Sequence, residues 1–168
     1  VPPHRLPDLA EPFAQDPQTG AEVALIEVSV PPRFESAGGG LVSTAGDYAR
    51  FLQLMLGRGT LHDADGRAIR LVSRATVDFM TADHLGPIPT VGDILPPGYG
   101  FGLGVAVRKG PGLATSPGST GTYSWSGLGG TFFFVDPAQD LFAILLTQAP
   151  GQLRMLCDLY PALVYAAL

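Results

Sequence analysis

Tyr123-Ser-Trp-Ser-Gly-Leu-Gly-Gly-Thr-Phe-Phe-Phe-Val-Asp-Pro137 decides how this chain is read. The stretch has the pattern of a strand, a glycine break, a second strand and a turn. With no Cβ at Gly127, Gly129 and Gly130, another group can approach the backbone closely where the first strand ends. A Trp and two Ser are present, but no acid, base or nucleophile pair accompanies them. The segment reads as one wall of an active site whose other wall lies elsewhere.

Working outward, strands are predicted at about 121–126, 130–136 and 141–147, the last two joined by Asp136-Pro-Ala-Gln-Asp140 as a hairpin. Leu141-Phe-Ala-Ile-Leu-Leu146 is continuously apolar, which predicts a central strand buried on both faces. Upstream, Tyr99 to Val107 reads as one strand. Its alternating Gly100, Gly102 and Gly104 leave a face free for a packed helix or a neighbouring backbone. Arg108-Lys109 reads as a solvated turn. Residues 110–121 form a Gly/Pro/Ser loop, and Pro87, Pro89, Pro96 and Pro97 make residues 85–98 an irregular one. From Gln152 the tail is helical, with Leu153, Leu156, Tyr160, Leu163, Val164 and Ala167 on one face. Pro161 is expected to kink it or to begin a second piece.

Nearer the start, Thr44 and Asp47 fit a capping box. Tyr48, Phe51, Leu52 and Met55 follow at i, i+3, i+4 and i+7, and Gly57 and Gly59 end the helix. A second helix is predicted from Ser73 to about Ala82, with Val72 and Val77 as a hydrophobic staple. Between them, Asp63-Ala-Asp-Gly66 is a turn without the third acid or closing Glu of a calcium loop. Residues 1–40 read as an extended arm with at most a short strand at Val23–Val30, ended by Pro31-Pro32. Residues 41–98 then hold the helices, and 99–168 hold the strands and the last helix. Segregated helices and strands give an α+β fold, an antiparallel sheet flanked by helices.

The 168 residues suffice for a domain with a real core. A hydrophobic share of 46% against 15% charged excludes disorder and predicts exposed apolar surface for a partner or further chain to cover. The net charge of −5 argues against nucleic acid. Cys157 stands alone among apolar residues, as a buried structural thiol would, and His4, His62 and His84 lack metal-ligand spacing. No apolar run is long enough for a membrane span. A chain opening Val1-Pro2-Pro3 is expected of a processed, truncated or partial product.

No self-contained catalytic set is present. Gly118-Ser119-Thr120-Gly121 has the wrong spacing for a nucleophile elbow. Lys109, the only lysine, has Ala106 three residues before it, so Ser-x-x-Lys is absent.

Gly39-Gly-Leu-Val-Ser-Thr-Ala-Gly-Asp-Tyr-Ala-Arg-Phe51, Gly98-Tyr-Gly-Phe-Gly-Leu-Gly104 and Tyr123-Ser-Trp-Ser-Gly127 occur in that order, followed by Gly130-Thr131 and Val135-Asp136-Pro137. Together they resemble the serine β-lactamase-like superfamily. The closest branch is that of class C β-lactamase-related esterases and penicillin-binding-protein-like hydrolases. The resemblance implies the C-terminal part of a β-lactamase/transpeptidase-like fold. It also implies an acyl-enzyme mechanism whose Ser-x-x-Lys nucleophile and Tyr-x-Asn-type motif lie upstream; this chain has neither. Trp125-Ser126-Gly127 takes the place of the third motif, Lys-Thr-Gly in β-lactamases. A neutral ring replacing that cation favours neutral esters over anionic β-lactams.

By the same resemblance, Leu128 supplies a backbone oxyanion donor, while Tyr123, Trp125, Ser126 and Gly127 contact substrate. Successive strand residues alternate faces, so these side chains cannot all reach one cleft; Ser126 is the one expected there. Without the resemblance, Trp125 reads as core, and Asp47 and Tyr48 as cap and packing. The implied partners are a small-molecule ester and the upstream part or companion chain bearing the nucleophile. No metal or organic cofactor is implied. Two alternatives stand beside this reading: a non-catalytic binding domain of the same fold, and an amide hydrolase of β-lactamase or D-aminopeptidase type.

Overall fold

Thr44 opens the first helix, α1 (Ala45–Leu56). Its hydroxyl oxygen accepts the Asp47 N–H at 3.2 Å, and its O–H donates to the Asp47 carboxylate at 3.0 Å. Gly57 caps the other end, and the Gly59 N–H returns to the Leu54 carbonyl at 2.8 Å. The computed structural model describes residues 1–25, 27–30, 33–34, 36, 38–39, 41–88 and 94–168. The arm holds a 3₁₀ turn at Pro3–Asp8 and one isolated bridge, Gln15 with Glu22. The described residues of the Val23–Val30 run form no strand, and Ile26 lies outside the described residues.

After α1 comes a short hairpin that the sequence did not suggest, β1 (Thr60–His62) with β2 (Ala68–Arg70). The predicted Asp63 turn closes it, because the Asp63 carboxylate accepts the N–H groups of Asp65 and Arg67. Helix α2 (Arg74–Met80) is capped by the Ser73 hydroxyl, which accepts the Thr76 N–H at 3.0 Å. Val72 and Val77 both pack on the core, completing the staple.

Among the described residues the main sheet has five antiparallel strands in sequence order: β3 (Tyr99–Phe101), β4 (Ala106–Arg108), β5 (Tyr123–Ser126), β6 (Phe132–Asp136) and β7 (Leu141–Leu145). The single strand predicted over Tyr99–Val107 is therefore a hairpin. Gly104, at φ +88°, makes its turn, and the Gly102 N–H meets the Val105 carbonyl at 2.8 Å. Of the alternating glycines, Gly102 meets a neighbouring backbone, since a Cβ there would strike the Met80 carbonyl at the end of α2; a Cβ at Gly100 would strike the Asp83 carboxylate, and Gly104 has open space. A second correction concerns β7. Among the described residues it is an edge strand with only Ala143 buried, while β4 and β6 inside the sheet are the most buried. A continuous apolar run fits an edge strand as well as a central one when helices cover both its faces.

Helices do cover both faces. On one, Val107, Tyr123, Phe133 and Val135 meet Leu52 and Met55 of α1 and Val77 of α2. On the other lies α3 (Leu153–Ala166). Tyr160 sits edge-on to Phe132 and Phe134, Tyr165 stacks on Phe134 at 5.6 Å, and the Tyr160 O–H donates to the Ile144 carbonyl. The helix runs through Pro161 as one piece. Leu163, expected on the inner face, points outward with Met155 and Leu159, while Pro161 and Tyr165 turn inward. Leu163, Met155 and Leu159, with Phe13, Phe34 and Leu41 among others, contribute to the exposed apolar surface that the composition predicts.

Arg108 corrects a further expectation. It is buried, donating from Nη1 to the Ser116 carbonyl at 2.7 Å, where a solvated turn was predicted. Near it, the buried Asp136 accepts the Tyr165 hydroxyl at 2.5 Å and the Ser119 N–H at 3.1 Å. Burial pushes the Asp136 carboxyl up, but these hydrogen bonds outweigh it and hold the group below the usual carboxylate range.

Candidate active site

At the far end of β5 the chain leaves the sheet at Gly127 and rejoins it at Phe132. The Gly127 N–H bonds the Thr131 carbonyl at 2.8 Å, and the Gly130 N–H bonds the Gly127 carbonyl at 3.0 Å. Leu128 and Gly129 are thus the two central residues of a tight turn. The first central N–H of such a turn is left outside its hydrogen bond. Accordingly, the Leu128 N–H has no acceptor among the described residues, and the residue is 75% exposed.

The segment after β7 braces this turn from behind. The Ala149 N–H donates to the Gly129 carbonyl at 2.8 Å, and the Thr147 hydroxyl to the Gly130 carbonyl at 2.7 Å. Gly130 has φ +103°, and a Cβ there would lie 2.8 Å from the Ala149 carbonyl oxygen, so position and conformation both require glycine.

Trp125, Ser126, Gly127 and Leu128 come together at this end, on different faces. The half-buried Trp125 packs on the α1/α2 core and sits edge-on to Phe101, with ring centroids 5.0 Å apart. Ser126, expected to face the cleft, lies on the α3 face with its hydroxyl against the Cys157 thiol. Tyr123 is at the other end of β5, only 2% exposed. Its hydroxyl has no partner among the described residues, and burial pushes its pKa up. Its ring is core and does not reach the Leu128 turn.

Lys109 is also at that other end. Its ammonium meets the Asp83 carboxylate at 3.2 Å and the Gly86 carbonyl at 3.1 Å. Burial works to raise the Asp83 carboxyl, but bonds from the Leu85 N–H and Lys109 hold it below the ordinary range. Among the described residues no three His, Cys, Asp or Glu are grouped as a metal would need, and no helix is long and apolar enough to cross a membrane.

One polar residue near the turn escaped sequence reading. Asp16, in the arm, is 5% exposed and accepts from the Gln18 N–H, the Thr19 N–H and hydroxyl, and the Gln152 side-chain amide, at 2.8 to 3.1 Å. The Gln152 bond, with the Thr19 N–H next, lowers its pKa to about 2. The signal for it was Asp16-Pro-Gln-Thr-Gly20, an Asp followed by turn residues that its own side chain can bond.

An antiparallel sheet between helical layers is the arrangement of a β-lactamase/transpeptidase-like fold. A sequence model of the beta-lactamase family matches residues 3–167, and the chain belongs to that family. Two Mycobacterium tuberculosis proteins, Rv1367c and the uncharacterized protein MT1414, are each 40% identical over 125 residues, covering 70% of this chain. The chain spans about 30% of the length of these relatives. Among solved structures it is similar to EstCE1, a hydrolase with promiscuous acyltransferase activity: 26% identity and TM-score 0.63 over 92% of this chain and 38% of that one. The fold is also that of simvastatin synthase (LovD) from Aspergillus terreus, at 21% identity and TM-score 0.53, over 73% of this chain and 34% of that one.

Proposed function

We propose that the chain forms the third-motif wall of a serine hydrolase acting on carboxylic esters. The nucleophilic serine and its lysine and tyrosine would come from polypeptide outside it. The exposed Leu128 N–H, on a turn braced by Ala149 and Thr147, carries this reading.

The serine oxygen attacks the ester carbonyl while its proton passes to the lysine–tyrosine base. The carbonyl oxygen takes up the negative charge and accepts hydrogen bonds from the Leu128 N–H and the nucleophile's own N–H. Collapse expels the alcohol and leaves an acyl-enzyme, which water then opens. EstCE1 is described as a hydrolase with acyltransferase activity, which fits an acyl-enzyme open to water or an alcohol. Trp125 offers an apolar ring where a cation would hold an anionic substrate, and Lys109 is engaged elsewhere by Asp83. Both favour a neutral ester.

The test uses protein from the complete reading frame and a short-chain p-nitrophenyl ester. Leu128→Pro, which deletes the N–H, lowers kcat by about 10²–10³-fold, whereas Leu128→Ala, which keeps it, stays near wild type. Equal losses in the two variants sink the oxyanion role. Wild-type protein that binds the ester without turnover supports the binding-domain alternative instead.

A further inference from the structure

We infer that Asp16 is a positioning residue for the Leu128 turn, acting through the segment that joins β7 to α3; the inference rests on the hydrolase reading above. The arm folds back on itself around this residue. The Asp16 N–H bonds the Ala21 carbonyl, the Gly20 N–H bonds the Asp16 carbonyl, and the Val23 N–H bonds the Ala14 carbonyl. The loop presents the carboxylate to the start of α3. There the Gln152 amide donates to it at 2.8 Å, and a Cβ at Gly151 would lie 2.6 Å from its Oδ2. Glycine at 151 lets the carboxylate sit against the backbone. A buried carboxylate at the first turn of a 14-residue helix also meets the positive end of its dipole.

Gly151 and Gln152 lie one residue, Pro150, beyond Thr147, Gln148 and Ala149, which hold the turn. Ala149 and Thr147 hold the Gly129 and Gly130 carbonyls. A Cβ at Gly129 would lie 2.7 Å from the Gln148 Oε1 and 3.9 Å from the Leu25 Cδ2. Leu25 belongs to the same arm, a few residues beyond the Asp16 loop. The arm therefore reaches the turn by two routes: through Asp16, Gln152 and Ala149, whose carbonyl accepts the Gln152 N–H at 3.0 Å, and through Leu25, which lies near Gly129. The Leu128 N–H can donate to an oxyanion only if this turn keeps its angle, and small misplacements of such groups are costly in rate.

The experiment compares Asp16→Ala, Asp16→Asn and wild type, each from the complete reading frame, with Asp78→Asn on α2 as a remote control. Amide exchange at Gly127 and Gly130 reads the turn directly, because both amides are hydrogen-bonded within it. Asp16→Ala speeds their exchange by about tenfold, Asp16→Asn by less, and Asp78→Asn leaves them unchanged. In the ester assay Asp16→Ala lowers kcat by about tenfold with KM near wild type. Faster exchange across residues 14–23 with Gly127 and Gly130 unchanged overturns the inference. If Asp16→Ala does not fold, Gln152→Ala cuts the same contact from the α3 side and is read the same way. If the wild type turns over no ester, the hydrolase reading fails, and the exchange result alone decides the positioning role.

Discussion

Cys157 lies on the inner side of α3, with its thiol beside the Ser126 hydroxyl. Burial, with the Asp158 charge adding to it, pushes the thiol pKa up to about 11. Only the thiolate attacks an alkylating reagent. An ordinary thiol near pKa 8.5 is about one-tenth ionised at pH 7.5, so Cys157 in the native protein should react with iodoacetamide at least about 10²-fold more slowly. Unfolding in urea restores the ordinary rate. Native alkylation at the unfolded rate would mean that the thiol is not held under α3. The sequence showed Cys157 as a lone thiol among apolar residues, and that was enough to read it as packed. Arg108 was not readable in the same way. A charged residue next to Lys109 suggests solvent, and its burial comes from Ser116 in the following loop, which no local pattern announces.

Thr44 shows why the helices were legible. Its cap, the apolar spacing of Tyr48, Leu52 and Met55, and the closing Gly57 are all local signals that the structure reproduces, whereas Phe51, expected on the same face, is exposed beside the Tyr48 ring. Thr44→Ala removes the acceptor of the Asp47 N–H and should cost about 1 kcal/mol, while Thr44→Ser, which keeps a hydroxyl, costs a few tenths. Urea midpoints of the two variants check this, and equal midpoints would mean that the cap is not worth its hydrogen bond. The strands were less legible. Those of the β1/β2 hairpin are three residues each, too short for a period-2 pattern to show. β3 and β4 run together in sequence because Gly104 turns the chain within a stretch already full of glycine. Strand type was readable from composition. Strand order was not, because whether β7 ends the sheet depends on what else pairs with it. At the candidate site, the turn was legible from Gly127, Gly129 and Gly130, but its brace was not, since Thr147 and Ala149 reach it only through the fold.

Across the whole molecule, structural carboxylates set the response to acid. Asp16, Asp83 and Asp136 are all held below the usual carboxylate range by hydrogen bonds, Asp16 down to about 2. In the unfolded chain each returns to about 3.9, so as pH falls through that value the unfolded state binds more protons than the folded one. Their contribution is complete above about pH 4 and is lost as pH falls below it, for Asp16 as pH falls towards 2. Asp16 gives the cleanest test, because the groups that bond its carboxylate, Gln18, Thr19 and Gln152, do not titrate. Asp16→Asn keeps the size of the side chain and removes the ionisation. The variant should be less stable than wild type at pH 7, by urea midpoint, and the gap should close as both are taken from pH 4 to pH 2. Asp83 and Asp136 titrate in both proteins, so their effects cancel in the difference. A gap that stays constant over that range would mean that shape, and not the ionised carboxylate, holds the arm against α3.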